Sequence, residues 1–577
     1  MRRLRGKQPG AFSNGERRLL KAFGHLAEPL GLGVFRIAAV SRACCCFLAS
    51  DQNHDSFWRQ IFEQKVCLKK IRKSDAACKA LFARIPLGLQ SLDLLLSKVE
   101  WHSTDRESIS EETLKVLTTK LGNLKKFSLD MFCHDAEFQA ELVRNLPSTL
   151  ESLSLAMEME EGVVELMAQH LPRNLSSLAV DFHMMLEGDL SVLLKAVPTC
   201  LKHLRLGLAE VLSRQDLLHL SAMIKDNAGL ETLVLDLENN SDCTGEALDK
   251  VLQSLPPQLR QLELKMTNLD LKHPGLSRAF ATGLAQLRHL QILVLDFEES
   301  HLDPNARFAS EVLTAVQSEL SECSLNFAAY HVAPGSLASI ADMLSRQPCL
   351  HRLHLDLRAQ EVNESVPDIA RRWPNIKDLS LSFFNSDLSG PAMDVLSAAL
   401  PRNLKSFKLN IDGCSALAPK NIETLFRNLP KGLAHLDLEL EWKTACGAQE
   451  IQFPPLLKTL CFRCSALYEP GSNEARFVQA FCGEIQSLKL QSLKLGFEMC
   501  DISLESAAKL AKSLPTSLRK LEMDVDGVVT AADTTQRWEE TLRPLQLRFG
   551  KGVRIPQEGS SSDAKRVNLS SLFALLH

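Results

Sequence analysis

From about residue 85 onward one apolar pattern returns along the chain, with leucine at positions 1, 4 and 6, an apolar residue at position 8, and polar residues between. Clear copies read LESLSLAM from Leu150, LETLVLDL from Leu230, LQILVLDF from Leu290, LHRLHLDL from Leu350 and LAHLDLEL from Leu433. The first positions are Leu89, Leu124, Leu150, Leu175, Leu201, Leu230, Leu259, Leu290, Leu320, Leu350, Ile376, Leu404, Leu433, Leu457, Leu490 and Leu518, which makes sixteen copies with a mean period near 28.6 residues. The period-two alternation over positions 4 to 8 predicts a short strand with one buried face. Positions 3, 5 and 7 then point to the opposite face.

Between the copies lie stretches with helical spacing, such as EGVVELMAQHL, GEALDKVLQSL, GSLASIADMLSR and SLESAAKLAKSL. Many end in Leu-Pro a few residues before the next strand, at Leu146, Leu171, Leu255, Leu400, Leu429 and Leu514. Proline stops the helix and pushes the residue before it toward extended geometry, which feeds the chain into the strand. Each unit is one strand and one helix, and neither buries its apolar face without a stacked neighbour. These residues resemble the leucine-rich-repeat family, in its ribonuclease-inhibitor-like class. The resemblance implies an α/β solenoid over residues 85–545, with about sixteen strand-helix repeats, a parallel concave sheet and outer helices. The family places Asn or Cys at position 9. Here that position holds Glu158, His183, Ala209, Glu238, Glu298, Arg358 and Asp412, so an asparagine ladder is expected to be missing and the turn after each strand to be irregular.

Charge is sorted by strand position. Position 7 carries Asp130, Asp181, Asp236, Asp296, Asp356, Glu439 and Asp524, against Lys265 and Arg463 as its bases. Position 9 adds Glu158, Glu238, Glu298, Asp412, Glu441, Glu498 and Asp526, while position 2 holds Lys125, Lys202, Arg260, Lys377, Lys405, Lys458 and Arg519. Two readings stand. The acidic concave band steers a basic partner protein, with the position-7 acids as its contacts, or it is a solvated sheet face kept charged against aggregation.

Residues 17–66 break the repeat with helical patterns, RRLLKAFGHL, GVFRIAAVSRACCCFLAS and SFWRQIF, and Pro29, Gly31 and Gly33 separate the first two. This all-α layout resembles the F-box, the module that docks a protein onto the Skp1 adaptor of cullin ubiquitin ligases. The matching residues are Leu20, Phe23 and Leu26 for its first long helix, Leu32 after the turn, Val40, Ser41 and Arg42 for its V-S-R core, and Trp58 for its closing Trp. Ser13-Asn14-Gly15-Glu16 replaces the Leu-Pro opening of that family. The other reading of the segment is a helical cap over the first repeat. Residues 1–16 form a basic tail, 67–84 a connector, and 546–577 a Gly/Ser-rich linker with a C-terminal amphipathic segment.

The chain has 577 residues, a length that suggests several ordinary domains and that the repeat count converts into one long array behind one small module. The net charge of −4 hides an asymmetry: residues 1–80 carry 16 Lys and Arg against 6 Asp and Glu, and the remainder 50 against 64. There is no global basic field for nucleic acid, and aromatics do not interleave with the bases to stack on single strands. The N-terminus lacks the apolar stretch of a secretory signal, and no run of ~18 apolar residues predicts a membrane span. The 16 scattered cysteines, including Cys44-Cys45-Cys46, make no disulfide framework, and the expected compartment is the cytoplasm or nucleus.

No phosphate loop, zinc-protease helix or nucleophile elbow occurs. The one C-x-x-C, Cys461 to Cys464, falls in a strand whose alternation sends the two thiols to opposite faces, and His351 and His354 differ in the same way. No catalytic residue, cofactor or metal is expected. The sequence thus predicts a non-catalytic adaptor, a substrate receptor of a Skp1-cullin-type ubiquitin ligase that holds a protein on its repeats. The alternative is a repeat scaffold or inhibitor with no ligase link.

Overall fold

A computed structural model describes residues 66–67, scattered positions between 79 and 95, most of 111–524 and a few positions between 542 and 549. The basic tail, all eight F-box-like residues, most of the connector and the C-terminal segment lie outside the described residues. Every one of the sixteen copies forms a strand beginning at its third position, from Ser91–Leu95 in the first to Lys520–Asp524 in the last. Leucines at positions 1, 4 and 6 are buried in repeat after repeat, as with Leu259, Leu262 and Leu264, while in such strands the residues between them keep some exposure. A helix lies between most successive strands, and helices of neighbouring repeats pack on one another. The α/β leucine-rich-repeat solenoid is therefore the architecture of the described chain.

The chain divides between Leu259 and Arg260 into two compact units. Among the described residues, the sheet of the first unit has seven parallel strands, ending in Thr232–Asp236. Its outermost strand is the pair Val66–Cys67, which adds in parallel to Ser91–Leu95. The junction expected between helical module and connector thus supplies a strand to the sheet. In the second unit ten strands run parallel from Gln261–Lys265 to Lys520–Asp524. Over positions 3 to 7 register pairs like positions, Leu204 with Leu233 and Leu409 with Leu438, so equal positions of successive repeats form rows across each sheet.

The Leu-Pro steps do what their sequence predicts. Leu171 and Leu429 end their helices in extended geometry, with ψ of 124° and 130°. The proline carbonyl then accepts the position-1 N–H three residues on, Leu150 to Pro147 at 3.1 Å and Leu433 to Pro430 at 3.0 Å. Those turns set each strand at the same height.

The turn after the strand is regular in seven repeats, while the Leu150 strand carries a register shift between Met157 and Met159. Position 10 is left-handed in seven repeats: Glu210, Asn239, Asn268, Glu299, Ala359, Asn385 and Gly413 have φ between 54° and 73°. Backbone pairing continues past the strand, with Met266 N–H donating to Asp296 and Asn268 N–H to Glu298, both at 2.8 Å. A polar ladder also exists, two residues beyond where the family consensus puts it. Position 11 holds Asn240, Ser300, Gln360, Ser386, Cys414 and Cys500, all buried. Each donates to the position-8 carbonyl of the preceding repeat: Asn240 Nδ2 to Leu208 at 2.8 Å, Gln360 Nε2 to Phe327 at 3.0 Å, Ser386 Oγ to Leu357 at 2.8 Å, Cys414 Sγ to Phe383 at 2.9 Å, Cys500 Sγ to Cys464 at 3.4 Å, and Ser300 Oγ to Met266. The expected loss of the ladder is corrected: positions 7 to 10 make a longer strand exit, and the capping side chain moved with it.

The core between sheet and helices is apolar and partly aromatic. In the second unit Phe297 and Phe327, both at position 8, stack at 5.6 Å with Phe280 edge-on to Phe297. The Leu433 repeat departs from the rest, its strand His435–Glu441 passing directly into a helix at Trp442, which sits 5.7 Å from both Phe477 and Phe497.

Two consequences of the exit turn are testable. Asn240 makes four hydrogen bonds, accepting from Leu212 N–H and donating to three carbonyls. Asn240→Ala is expected to lower unfolding stability by about 2 kcal/mol, read as a lower urea midpoint, because those groups stay buried without partners. Ala359 has φ 57°, a conformation that costs an L-residue energy and glycine little. Ala359→Gly is expected to raise stability by about 0.5 kcal/mol, and an unchanged or lower melting temperature would contradict the strained turn.

Candidate functional site

The residues able to meet a partner lie among positions 3, 5, 7 and 9, because 4, 6 and 8 are committed to the core, although Val234, Ala328, Asp356 and Asp412 at those positions are buried. All seven acids expected to contact a partner lie on this face, and the structure gives several of them a second duty. In five repeats the position-7 carboxylate or amide accepts the N–H of position 9: Asp236 to Glu238 at 3.4 Å, Asp296 to Glu298 at 3.1 Å, Asn326 to Ala328 at 3.0 Å, Asp356 to Arg358 at 3.2 Å and Asn410 to Asp412 at 3.0 Å. This local turn closes the start of the strand exit, and Asn serves it as well as Asp. The recurrence of acids at position 7 thus has a structural cause beside any electrostatic one.

The remaining predicted acids differ from one another. Asp130 is half-buried, and its Oδ1 is buried with no hydrogen-bond partner. The Asp181 carboxylate occupies the space beside Gly207, where a Cβ would stand 2.3 Å from its Oδ1; the position-7 glycine is what admits it. Glu439 pairs with Arg463 at 2.8 Å, and Asp524 sits half-buried at the end of the last strand.

Two networks organise the face of the second unit. Arg358 donates through Nη2 to Glu298 at 2.8 Å and through Nε to Asp356 at 3.0 Å, and Asn326 Nδ2 donates to the other Glu298 oxygen at 3.1 Å. One guanidinium therefore ties the Leu290 repeat to the Leu350 repeat across the intervening strand. His354, on the same strand, is pushed down by burial and by the nearby Lys408 and Arg358, against the pull of Asp356, and so is neutral at pH 7. Burial pushes the Asp296 carboxyl above the usual range.

The second network surrounds Arg463, whose Nη2 lies 2.8 Å from Glu439 and 3.4 Å from Asp437, with Nη1 donating to Cys461 Sγ at 3.2 Å. Asp412 is buried beside it, accepting from Ser465 Oγ at 2.6 Å and Gly413 N–H at 3.0 Å. Burial raises its pKa, and Glu439 and Glu441 add to the rise. Lys408 and Lys494 flank this group on the neighbouring strands, beside Asp437 and Cys461, so acids and bases alternate across the area.

Sequence reasoning assigned charges to rows but not pairs. Arg358 and Glu298 are 60 residues apart and both at position 9; the row assignment contained the contact, and the reach of an arginine across two strand spacings of ~4.8 Å would have found it. Ser465 and Asp412 repeat that geometry at the same position. Cys461 and Cys464 alternate between the open face of the sheet and the core, and burial pushes the Cys461 thiol up to about 12, so it is protonated and a poor nucleophile at neutral pH. Among the described residues every cysteine is a free thiol, no three His, Cys, Asp or Glu side chains group to hold a metal ion, and no helix is long and apolar enough to cross a membrane.

No protein-family model matches the chain, and no curated protein matches it. Among solved structures it is similar to a chain from the crystal structure of the Rad7 and Elc1 complex in yeast, at 14% sequence identity and a TM-score of 0.37, over 79% of this chain and 93% of that one. The leucine-rich-repeat fold stands on the sixteen strands and their common register rather than on that likeness.

Proposed function

We propose that the chain is a non-catalytic adaptor of the cytoplasm or nucleus. Its N-terminal helices hold a Skp1-like subunit of a cullin ubiquitin ligase, and its repeats hold a protein that other subunits modify. The observation that carries the reading is the order of parts: Val40-Ser41-Arg42 and Trp58 stand directly ahead of the repeats, and Val66, eight residues past Trp58, is already paired to the first repeat strand. A docking module so placed has little chain with which to wander from the face that holds the cargo. The described part of the face carries paired and partly buried charges, which fits recognition of a protein surface.

Affinity purification of the full chain and of a Val40→Ala/Trp58→Ala variant tests the docking half. The wild type is expected to retain a Skp1-like protein and a cullin, and the variant to lose both while its melting temperature holds. A wild type that retains neither leaves only a scaffold.

The acidic face has its own test. Because Asn326 and Asn410 already close the strand exit in two repeats, replacing Asp236 and Asp296 by Asn removes charge and keeps the turn. Binding of a Lys-rich peptide is expected to weaken about fivefold at low salt and to converge with wild type at high salt. Equal binding at every salt concentration would leave the acids with their turn-closing role alone.

A further inference from the structure

The concave acids do not use the basic row at position 2, and that row behaves differently in the two units. In the first unit its lysines are matched by acids of the next repeat, Lys125 with Glu151 at 2.8 Å and Lys202 with Glu231 at 3.4 Å. In the second unit position 2 holds no acid at all. From the Ile376 repeat to the Leu518 repeat the row reads Lys377, Lys405, Ala434, Lys458, Gln491 and Arg519, and all four bases are exposed. The carbonyl of each position-2 residue takes the N–H of the next, Lys405 to Lys377 at 2.7 Å, Ala434 to Lys405 at 2.9 Å, Lys458 to Ala434 at 2.8 Å, Gln491 to Lys458 at 2.8 Å and Arg519 to Gln491 at 2.9 Å. The side chains are thereby held in one line at the beginning of the strands.

Nothing described neutralises this line. The acids nearest the row on the same strands are already matched: Asp378 with Arg352 at 3.6 Å, Asp437 with Arg463 at 3.4 Å, and Glu522 with Lys520 at 2.6 Å and Lys494 at 3.7 Å. The turns that feed the strands add Arg402 and Lys431, both exposed, and no acid. Lys405 Nζ makes only a long bond to the Gly432 carbonyl at 3.4 Å.

We propose that this row is a second binding surface, for an extended acidic segment of a partner protein. Five strand steps of ~4.8 Å make it about 24 Å long, the reach of roughly seven extended residues, and bases one or two strands apart meet acids at about every second or third residue. Nucleic acid is the less suitable polyanion. The position-7 acids stand about 17 Å away across the strand, with Asp378, Asp437 and Glu522 nearer still, and would repel a long phosphate backbone, and no aromatic side chain stands in the row to stack on a base. A protein segment can end, or change sign, before it reaches the acidic band.

The full chain is titrated against a fluorescein-labelled peptide of about eight alternating Glu and Ser residues, read by fluorescence anisotropy at low salt. Lys377→Gln/Lys458→Gln/Arg519→Gln is expected to weaken binding about tenfold, whereas Lys377→Arg/Lys458→Arg and the first-unit pair Lys125→Gln/Lys202→Gln are expected to bind as wild type. Circular dichroism melting of each variant reports folding, and the arginine variant keeps the charge test independent of any loss of stability. Equal binding by the glutamine variant overturns the proposal, as does tighter binding of a single-stranded RNA of equal charge that the same substitutions abolish.

Discussion

A single strand-helix unit cannot exist alone, because its strand carries unpaired N–H and C=O groups on both edges and its leucines face nothing. Everything else follows from how neighbours satisfy that need. Pairing does not stop with the strand. It runs from the turn that opens at proline, through positions 2 to 7, and on through positions 8 and 10 into a left-handed residue, where the position-11 side chain closes it on the carbonyl of the preceding repeat. Equal positions are therefore locked into rows. Charge on one row stays on one row, and that is why both candidate surfaces are linear.

The strands were legible because their signal is redundant. Sixteen copies of one spacing leave no freedom in register, and all sixteen strands begin two residues after the predicted first position. The exit turn was misread because a family offset was imposed on a sequence that had lengthened it. Asn240, Ser300, Gln360, Ser386 and Cys414 share no single residue type, and what unites them is the carbonyl they reach, which only the folded chain displays. The F-box-like residues stand outside the described chain and remain a matter of sequence.

The acids at position 7 show how a structural cause can imitate a functional pattern. Closing the exit turn needs a short side-chain acceptor two residues before the N–H it caps, and Asp and Asn both supply one. A chain under that demand gains a line of carboxylates whether or not a partner exists. Arg358 and Arg463 show the consequence of so many acids side by side: each guanidinium is drawn between carboxylates of different strands, and both stay charged in a half-buried setting where a lysine would lose more hydration per bond made.

Position 2 is under no such demand. No turn requires a base there: where position 2 bonds the preceding repeat's backbone through its side chain it does so with serine, Ser176 on the Glu151 carbonyl and Ser321 on the Gln291 carbonyl, both at 3.0 Å, and the first unit matches its own lysines with acids at modest benefit, about 0.2 to 1 kcal/mol for each exposed pair. The second unit could have done the same at no expense to packing, since position 2 is exposed in either case. A line of like charges left unmatched raises self-repulsion and contributes nothing to the fold. The two charged rows therefore differ in kind. The acidic one is explained in part by the backbone beneath it, while the backbone beneath the basic one asks for no charge at all.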